Sequence, residues 1–470
     1  MKRLVWFRGK DLRVHDHAPL RDASEAAACV FVLDPFFFDP QRAERLSNRM
    51  AFLLESLVEL QASIDALGGR LLVVAGKSVE VIPRLAKQLG VDEVVAYRWT
   101  EPFGRKRDRR VQDALNVPLR LYEGETLLPP GAVMTKAGQP FSVFTPFYRA
   151  FQRTFALHEP VGPPAQIRSI RSSEPIATVP VPQARALGLA ESPDRMMGGE
   201  AAARRRLDRF ITDRLDGYES GREMMGHSGT SRLSQDIKFG TLSVRSVWHR
   251  VASSGLAPAH VDSYCRELVW RDFSHSCLWH NPDLLERPFR PQWSNFPWAV
   301  DPEAWQRWCS GHTGYPIVDA ASRQLLQTGF VHNRARMIAA SFLTKHLMIS
   351  YRCGEAHYLA HLTDGDWAQN NAGWQWAAGC GCDAQPYFRV FNPMLQGKRF
   401  DPDGSYVRKY VPELAGLQSR DIHAPWLAPA DRLAAGGVTL GQDYPHPIVD
   451  HAEARQRFLS TAKAHVKAWA

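Results

Sequence analysis

The sequence lacks any apolar run long enough to cross a bilayer, and it lacks the apolar core of a signal peptide. Its opening, MKRLVWFRGKDLRVHDH, holds only the apolar run LVWF before charged residues resume. A membrane-spanning helix needs about 20 apolar residues, and the apolar core of a signal peptide needs about seven or more. The sequence therefore predicts a cytoplasmic protein with no membrane partner.

Grouped metal-binding cysteines are also missing. The seven cysteines are odd in number and scattered along the chain, without a CxxC pair. Zinc sites and iron–sulfur clusters use closely grouped thiolates. The pattern therefore predicts reduced, mostly buried thiols and no metal site.

A third absence concerns nucleotide binding. The turn after the first apolar run reads RGKDLRVHDH and contains no GxGxxG fingerprint. That glycine pattern lets the backbone of a Rossmann fold approach the pyrophosphate of a dinucleotide. The main cofactor is therefore expected elsewhere in the chain.

What the sequence does have is a surplus of basic residues. Lys and Arg number 58 against 49 Asp and Glu, a formal net charge of +9. Such a surplus favours a polyanionic partner, for which nucleic acid is the leading candidate.

Residues 1–125 alternate short β-rich runs with helical stretches. The runs lie at 4–7, 28–34, 70–76, 93–99 and 119–122. This alternation is typical of an α/β domain with a five-stranded, parallel, doubly wound sheet. Between the second and third runs, apolar residues from Met50 to Leu67 recur at helical spacing and predict a helix packed on that sheet.

The rest of the chain changes character twice. Residues 126–198 are rich in proline and small polar residues, which predicts a long inter-domain linker. From 199 to 470 amphipathic helical runs dominate, which predicts a larger all-α domain.

The segment from 364 to 376, DGDWAQNNAGWQW, combines two carboxylates, two carboxamides and three indoles. The polar groups can hydrogen-bond a heteroaromatic ring, and the indoles are oxidisable. One alternative is a polar helix start followed by core tryptophans, and another is a cation site at the two aspartates. The neighbouring motifs favour the interpretation that this segment lines a cofactor-binding site.

A second segment, GTSRLSQDIKFG at 229–240, places hydroxyl side chains and an arginine just ahead of a helical run. Free N–H groups and the positive end of the helix dipole favour an anion such as phosphate there. An ordinary N-cap is the alternative.

One predicted helix carries Glu267, Trp270 and Arg271 at spacing i, i+3 and i+4, hence on one face. A carboxylate, an indole and a guanidinium together suit recognition of an exposed base and its phosphate. A surface ion pair beside a core tryptophan is the alternative interpretation.

The segment VHNRARM at 331–337 predicts a second helix with two functional faces. Asn333 and Met337 lie one turn apart and can line one pocket. Arg334 and Arg336 are about 200° apart around a helix, so one can point outward and the other inward. An inward arginine needs a carboxylate, which either aspartate of the DGD segment can supply.

Several motifs, in this order, resemble the DNA photolyase/cryptochrome family: TSRLS, ELVWRDF, TGYPIVDA, VHNRARM, DGDWAQNNAGWQWAAG and PYFRVFNPMLQGKRFDPDG. The resemblance covers nearly the whole chain and is greatest to class I photolyases, which repair cyclobutane pyrimidine dimers. It implies an FAD in the helical domain, beneath a hole that receives the flipped dimer. It also implies repair by one electron from the light-excited, fully reduced flavin, DNA containing a pyrimidine dimer as the partner, and a monomer.

The resemblance further implies roles for individual residues. Asn370 would present a carboxamide to flavin N5, where plant-type cryptochromes carry Asp, and this favours repair over signalling. The positions implied around FAD are Tyr218, Thr230, Ser231, Arg232, Leu233, Ser234, Glu267, Arg271, Arg336, Asp364, Gly365, Asp366 and Asn370. Those implied for the dimer or the DNA backbone are Arg222, Glu267, Trp270, Asn333, Arg334, Met337, Trp376 and Arg389.

An electron relay is implied through Trp374, Tyr351 and Trp298. Its middle member is a tyrosine where the family usually has a tryptophan, and a phenol is harder to oxidise unless it loses its proton. We therefore expect slower transfer at Tyr351, or a detour through Trp367 or Trp376.

A second, antenna chromophore is expected in the α/β domain. The segment EPFGRKRD lacks the Asn–Glu pair that folate-binding relatives carry before a similar RxRD segment, and it resembles deazaflavin-type binders more. The alternatives to dimer repair are a cryptochrome-like photoreceptor and a (6-4) photolyase. VHNRARM lacks the two-histidine arrangement that the latter would require.

Overall fold

Parallel strands form a sheet in the N-terminal half, in the order β3-β2-β1-β4-β5. The computed structural model describes residues 1–190 and 192–469. Its strands are β1 (Arg3–Phe7), β2 (Ala27–Leu33), β3 (Leu71–Ala75), β4 (Glu93–Tyr97) and β5 (Leu119–Tyr122). Every residue of β2 is buried, as expected for a strand covered on both faces. The predicted five-stranded parallel domain is confirmed.

The helices of this half are α1 (Ala18–Ala23), α2 (Pro35–Phe38), α3 (Pro40–Glu44), α4 (Ser47–Ala66), α5 (Ser78–Leu89) and α6 (Pro102–Ala114). In α4 the predicted apolar stripe is buried, including Leu53, Leu57 and Ile64. These side chains share a core with Val5 and Phe7 of β1. The predicted helix against the sheet is confirmed.

The stretch predicted as a linker contains a helix, α7 (Phe144–Thr154). Phe144, Phe147 and Phe151 are buried and share a core with Phe273 of the helical half. Their spacing of three and four residues is a helical apolar stripe, which the surrounding prolines obscured. Further along, the N–H of Val179 donates to Val73 O of β3 at 2.9 Å, so the connection runs back along the sheet. The domain boundaries themselves stay predictions.

Within the described residues, the helical half contains fourteen further α-helices. They are α8 (Glu200–Asp213), α9 (Tyr218–Gly221), α10 (Ser234–Phe239), α11 (Val244–Ala252), α12 (Pro258–His280), α13 (Pro302–Ser310), α14 (Pro316–Thr328), α15 (Asn333–Ser341), α16 (Tyr351–His361), α17 (Trp367–Ala378), α18 (Pro393–Phe400), α19 (Ser405–Tyr410), α20 (Ala430–Ala435) and α21 (His451–Trp469). The predicted all-α domain is confirmed. A π-helical turn, Phe342–His346, follows α15 directly, where the sequence predicts a continuous helix. Among the described residues, no helix is long and apolar enough to cross a membrane.

Charged groups join the two halves. Asp16, after β1, pairs with Arg245 of α11 and accepts a hydrogen bond from Ser243 Oγ at 2.5 Å. Glu200 at the start of α8 accepts from the N–H of Val14 at 2.8 Å. These contacts hold the segment after the central strand β1 against the helical half.

Candidate functional site

Two buried carboxylates stand at the start of α17. Asp366 is the N-cap residue and accepts a hydrogen bond from the N–H of Gln369 at 3.0 Å. Asp364, two residues earlier, accepts hydrogen bonds from Arg336 Nη2 of α15 at 2.8 and 3.0 Å. The predicted pairing of an inward Arg336 with the DGD segment is confirmed, and Asp364 is the partner.

Asp366 belongs to a buried cluster, which consists of Lys10, Glu101, Glu125, His275 and Asp366. Lys10 Nζ lies 2.6 Å from Glu101 Oε1 and 3.9 Å from Asp366 Oδ2, and it also pairs with Glu125. His275 Nε2 lies 3.6 Å from Asp366 Oδ2. Lys10 follows β1, so the α/β half places a cation beside an aspartate of the helical half. No motif in the sequence indicated this contact.

The charge states within the buried cluster follow from its surroundings. Burial lowers the pKa of His275 to about 4, so the imidazole is neutral at pH 7. Burial alone would raise the pKa of Asp366, but His275, which is charged below about pH 4, and the cations Lys10 and Arg271 outweigh it and hold that pKa below its usual value. Burial alone would lower the pKa of Lys10, but the three carboxylates outweigh it and raise that pKa. Asp366 is therefore an anion and Lys10 a cation at neutral pH.

A hydrogen-bond chain orients the imidazole of His275. Its Nδ1 lies 2.6 Å from Thr100 Oγ1. When the hydroxyl donates to Nδ1, the ring proton is left on Nε2, which faces Asp366. Glu125, His275 and Asp366 each offer a ligand atom within 4.8 Å of one another. A divalent cation there would meet the ammonium of Lys10, which disfavours the interpretation of the DGD segment as a cation site.

The carboxamides of α17 have separate partners. Asn370 Nδ2 donates to the main-chain oxygen of Glu355 at 3.0 Å, and Asn371 Nδ2 donates to Glu355 Oε1 at 3.0 Å and Leu284 O at 2.9 Å. Among the described residues, nothing donates to Asn370 Oδ1. Asn371 is thus structural, whereas Asn370 keeps an acceptor for another molecule.

The segment predicted to bind an anion lies before α10. Leu233, and not a Ser or Thr, is the N-cap residue, and it makes no side-chain cap hydrogen bond. The alternative of an ordinary hydroxyl N-cap is therefore wrong. Ser231 Oγ accepts from Tyr264 Oη at 3.2 Å, and Tyr264 packs edge-on against Tyr218. Arg232 has a φ of +53°, a strained conformation for a non-glycine residue.

A second group of side chains is partly exposed. We call it the outer group, and it consists of Arg222, Glu223, Glu267, Trp270 and Arg334. Arg222 Nη1 is 2.6 Å from Glu267 Oε1, and Arg334 pairs with Glu223. The sequence implied four of these residues but missed Glu223, whose partners are distant in the chain.

Trp270 stacks on Phe144 of α7, with ring centroids 3.5 Å apart and planes 9° apart. One face of the indole is thereby covered, and the side chain remains half-buried. Arg271 is buried instead, and its Nη1 donates to Glu125 O at 2.6 Å. The expected availability of Arg271 to a phosphate beside Glu267 and Trp270 is therefore wrong.

Other predicted contact residues are placed less closely together. Asn333 Nδ2 lies 3.9 Å from Met337 Sδ, so these two do share a face of α15. Trp376 is half-buried at the edge of the helical core. Arg389 lies on an exposed segment after Pro386. No hydrogen bond or ion pair between described residues joins Arg389 to the outer group.

The implied electron relay is only partly assembled. Trp298 and Tyr351 have ring centroids 6.4 Å apart. The ring neighbours of Trp374 are instead Tyr358 at 5.1 Å and Trp308 at 6.0 Å. The hydroxyl of Tyr351 is buried, and no described residue hydrogen-bonds to it.

A run of tryptophans leads away from Trp374 in another direction. Trp308 is fully buried, and Trp305 stacks on it with centroids 5.5 Å apart and planes 19° apart. Trp305 is partly exposed. This run was not predicted from the sequence, although WxxW in a predicted helix places both indoles on one face. No close ring pair between described residues includes Trp367 or Trp376, so the expected detours gain no support.

Known proteins resemble this chain in both of its halves. A family model described as the FAD binding domain of DNA photolyase matches residues 264–464, and one described as DNA photolyase matches residues 3–165. A deoxyribodipyrimidine photo-lyase of Agrobacterium fabrum is 39% identical, over 98% of this chain and 97% of the relative. The chain therefore belongs to the DNA photolyase family.

Solved structures refine the comparison. A bacterial class III photolyase from Agrobacterium tumefaciens superposes with a TM-score of 0.91 at 38% identity, covering 99% of this chain and 98% of that one. A cryptochrome from Synechocystis sp. PCC6803 has a TM-score of 0.88 at 32% identity, covering 97% of this chain and 99% of that one. The predicted family is confirmed, but membership of class I gains no support because the first of these structures is of class III.

Proposed function

We propose that this protein repairs cyclobutane pyrimidine dimers in DNA, using light and a bound, reduced FAD. One relationship carries the proposal: two helices each turn one side toward the outer group and the other toward the buried carboxylates. On α12, Trp270 is half-buried while His275 faces Asp366. On α15, Arg334 belongs to the outer group while Arg336 pairs with Asp364. A base bound at the outer group and a flavin bound at the buried carboxylates would be separated by little more than the width of one helix.

The buried residues Asp366 and Asn370 have unused acceptors that fit a flavin. Asp366 Oδ2 is buried, and no described residue hydrogen-bonds to it, although a buried carboxylate oxygen normally has a donor. The N–H of a flavin's pyrimidine ring is such a donor. Asn370 Oδ1 is a second unused acceptor, as a reduced flavin N5–H requires. We propose that the segment from Thr230 to Ser234, with Tyr218, holds the phosphates and the ribityl chain.

A bound, reduced FAD supplies the excited-state electron that opens the dimer. The chain's own contribution is to hold charge and exclude water around it. Asp364 and Asp366 are fixed by Arg336, Gln369 and the buried cluster, so they need no rearrangement to accept donors. Preorganised groups of this kind act more strongly in a dry site than in water.

The outer group would receive the extruded dimer. Trp270 has one face on Phe144 and can stack a base on the other, which is worth about 1–3 kcal/mol per base. Glu267 can accept from a base N–H, and Arg222, Arg334 and Arg389 can contact phosphates. Extrusion costs a few kcal/mol, and least where the lesion already weakens pairing. We propose that the protein does this as a monomer.

We further propose that electrons for flavin reduction pass from Trp305 through Trp308 to Trp374. The close rings of this run support the route. Tyr351 has no described hydrogen-bond partner that could take its proton on oxidation. A relay through Tyr351 to Trp298 is therefore expected to be slow.

For an antenna, we propose a deazaflavin-type chromophore in preference to folate. The Asn–Glu pair of folate-binding relatives would fall at Phe103 and Gly104. Phe103 stacks on Phe36 with centroids 5.4 Å apart, and a Cβ added to Gly104 would lie 2.8 Å from Trp99 Cβ. No glutamate fits there. The chromophore released from denatured protein, identified by absorbance and mass, tests this.

The decisive experiment is a repair assay. The purified protein is reduced and mixed with an oligonucleotide that contains one thymine dimer. Blue light should then restore the absorbance of thymine, whereas a dark sample and an oxidised sample should not. Failure of the reduced, illuminated sample would overturn the repair proposal.

A blue-light photoreceptor is the second candidate, favoured by the likeness to the Synechocystis cryptochrome. Asn370, in place of the aspartate of plant-type cryptochromes, argues against it. The two candidates separate in the same assay. A photoreceptor would reduce its flavin under light and leave the dimer intact.

A further inference from the structure

Two arginines of the outer group are already paired with carboxylates in the free protein. Arg334 pairs with Glu223, and its guanidinium lies 4.2 Å from the ring centre of Phe400. Arg222 Nη1 is 2.6 Å from Glu267 Oε1, and its Nε is 3.8 Å from Glu223 Oε1. Glu223 thus lies between the two guanidiniums, in a chain of alternating charges.

The position of Glu223 is one that a DNA phosphate would occupy. Two guanidiniums converge on its carboxylate, and Arg pairs with carboxylate and phosphate through the same geometry. Among the described residues, these two arginines are its ion-pair partners. Its side chain is 33% exposed, against 19% for Arg334 and 24% for Arg222. Solvent can therefore reach all three side chains.

We propose that Glu223 acts as an internal mimic of a DNA phosphate, which competes with the DNA backbone for Arg222 and Arg334. The inference rests on the proposed function for the role of these arginines. DNA must displace Glu223 before either arginine can pair fully with phosphate. The competing carboxylate lowers the affinity for any DNA backbone, so the protein leaves intact DNA more readily during its search for a lesion.

The expected effect of Glu223 on DNA affinity is modest because its ion pairs are partly exposed. Each exposed ion pair changes an equilibrium constant by up to about fivefold. Glu223→Gln should therefore tighten binding to an intact duplex by about three- to tenfold at physiological salt. The dependence of log K on log salt concentration should steepen by up to about one unit for each further phosphate that the released arginines neutralise.

The matched control is Glu219→Gln on α9. Glu219 is exposed and makes no ion pair with a described residue. The substitution therefore removes the same charge as Glu223→Gln without releasing an arginine. Because Glu219 pairs with neither Arg222 nor Arg334, this control should change DNA affinity less. In an Arg334→Gln background the effect of Glu223→Gln should shrink, since one of the two released guanidiniums is gone.

The test is fluorescence anisotropy of the flavin-loaded protein with a labelled intact duplex and the same duplex carrying one thymine dimer, over a series of KCl concentrations. Tighter, more salt-sensitive binding of intact DNA by Glu223→Gln is expected, and Glu223→Ser should repeat it. Unchanged or weaker binding, or an equal gain in Glu219→Gln, would overturn the inference. A wild type that binds both duplexes equally would instead count against the proposed function, while the comparison on intact DNA still decides the role of Glu223.

Discussion

Phe144 and Trp270 stack nearly parallel, 3.5 Å between ring centroids, although 126 residues separate them in the chain. Phe144 opens α7, in the stretch predicted as a linker, and Trp270 lies in the middle of α12. The stretch between the domains thus supplies the support for the proposed base-stacking surface.

The first prediction concerns this stack. Trp270→Ala should weaken binding to dimer-containing DNA by about 1–3 kcal/mol, because the stacking surface is lost. Binding to intact DNA should change little. Phe144→Leu keeps the apolar volume but removes the supporting ring, and it should cause a smaller loss of the same kind. Trp248→Ala, which removes an indole packed on Phe155 in the same aromatic core, serves as the control. An equal loss on both duplexes would argue against stacking at Trp270.

The second prediction concerns electron supply. Trp374→Phe should slow light-driven reduction of oxidised flavin yet leave repair by chemically reduced protein intact. Trp308→Phe should slow photoreduction more than Tyr351→Phe does, because Trp308 is a ring neighbour of Trp374. Flavin bleaching under blue light, with a thiol as electron source, measures both rates. If repair by pre-reduced Trp374→Phe also falls, the indole has a structural role. If Tyr351→Phe is the slower variant, the route through Trp298 is the main one.

The third prediction concerns flavin retention. Arg336→Gln leaves the buried Asp364 carboxylate without its charged partner, and loss of a hydrogen bond to a charged group costs about 1.5–3 kcal/mol. The variant should purify with less flavin per protein and melt earlier. Adding Asp364→Asn should restore part of the loss, since no unpaired charge then remains. Arg323→Gln breaks a comparable pair with Glu413 elsewhere. That control should melt earlier but keep its flavin, and flavin loss there would remove the specificity of the result.

The fourth prediction is a pH dependence at Glu355. Burial raises the pKa of its carboxyl from the ordinary value of 4.5 to about 7. The folded protein therefore binds this proton more tightly than the unfolded chain does. The resulting stability is fully present below pH 4.5 and is lost as the pH rises through about 7.

Glu355→Gln removes this dependence and keeps an acceptor for Asn371. The variant should gain about 1–3 kcal/mol relative to wild type between pH 5 and pH 8. Denaturant unfolding at several pH values measures the gap, with the exposed Glu174→Gln as control. A gap that stays constant or narrows with rising pH would refute the assignment of the proton to Glu355.

Much of the fold followed from local patterns in the sequence. The strands, the apolar face of α4 and the helical half were predictable from the spacing of apolar residues. That spacing reflects the local geometry of strands and helices. The inward Arg336 was also predictable, because helical angle and the cost of a buried charge leave few partners. The missed α7 had the same kind of stripe, at 144, 147 and 151, amid prolines that suggested a loop.

The rest of the site depends on contacts between distant parts of the chain. Lys10 beside Asp366, and Glu223 beside Arg334, are pairs of ordinary charged residues with no spacing rule between them. Arg271 had a predictable helical face, but which face the protein buries is decided by the packing of the α/β half. The helical position of Trp308 could be predicted from the sequence, whereas its contact with Trp374 could not.

The position of Lys10 has a consequence for recombination between relatives. Its ammonium starts in the α/β half and is neutralised partly by an aspartate of the helical half. A chimera that joined this helical half to the α/β domain of a relative would lose that ammonium unless the relative had a cation at the same place. Asp366 and His275 would then face an altered field beside the flavin. The two halves are therefore electrostatically matched, and exchange of the α/β half should succeed only when its replacement supplies a cation at the position of Lys10.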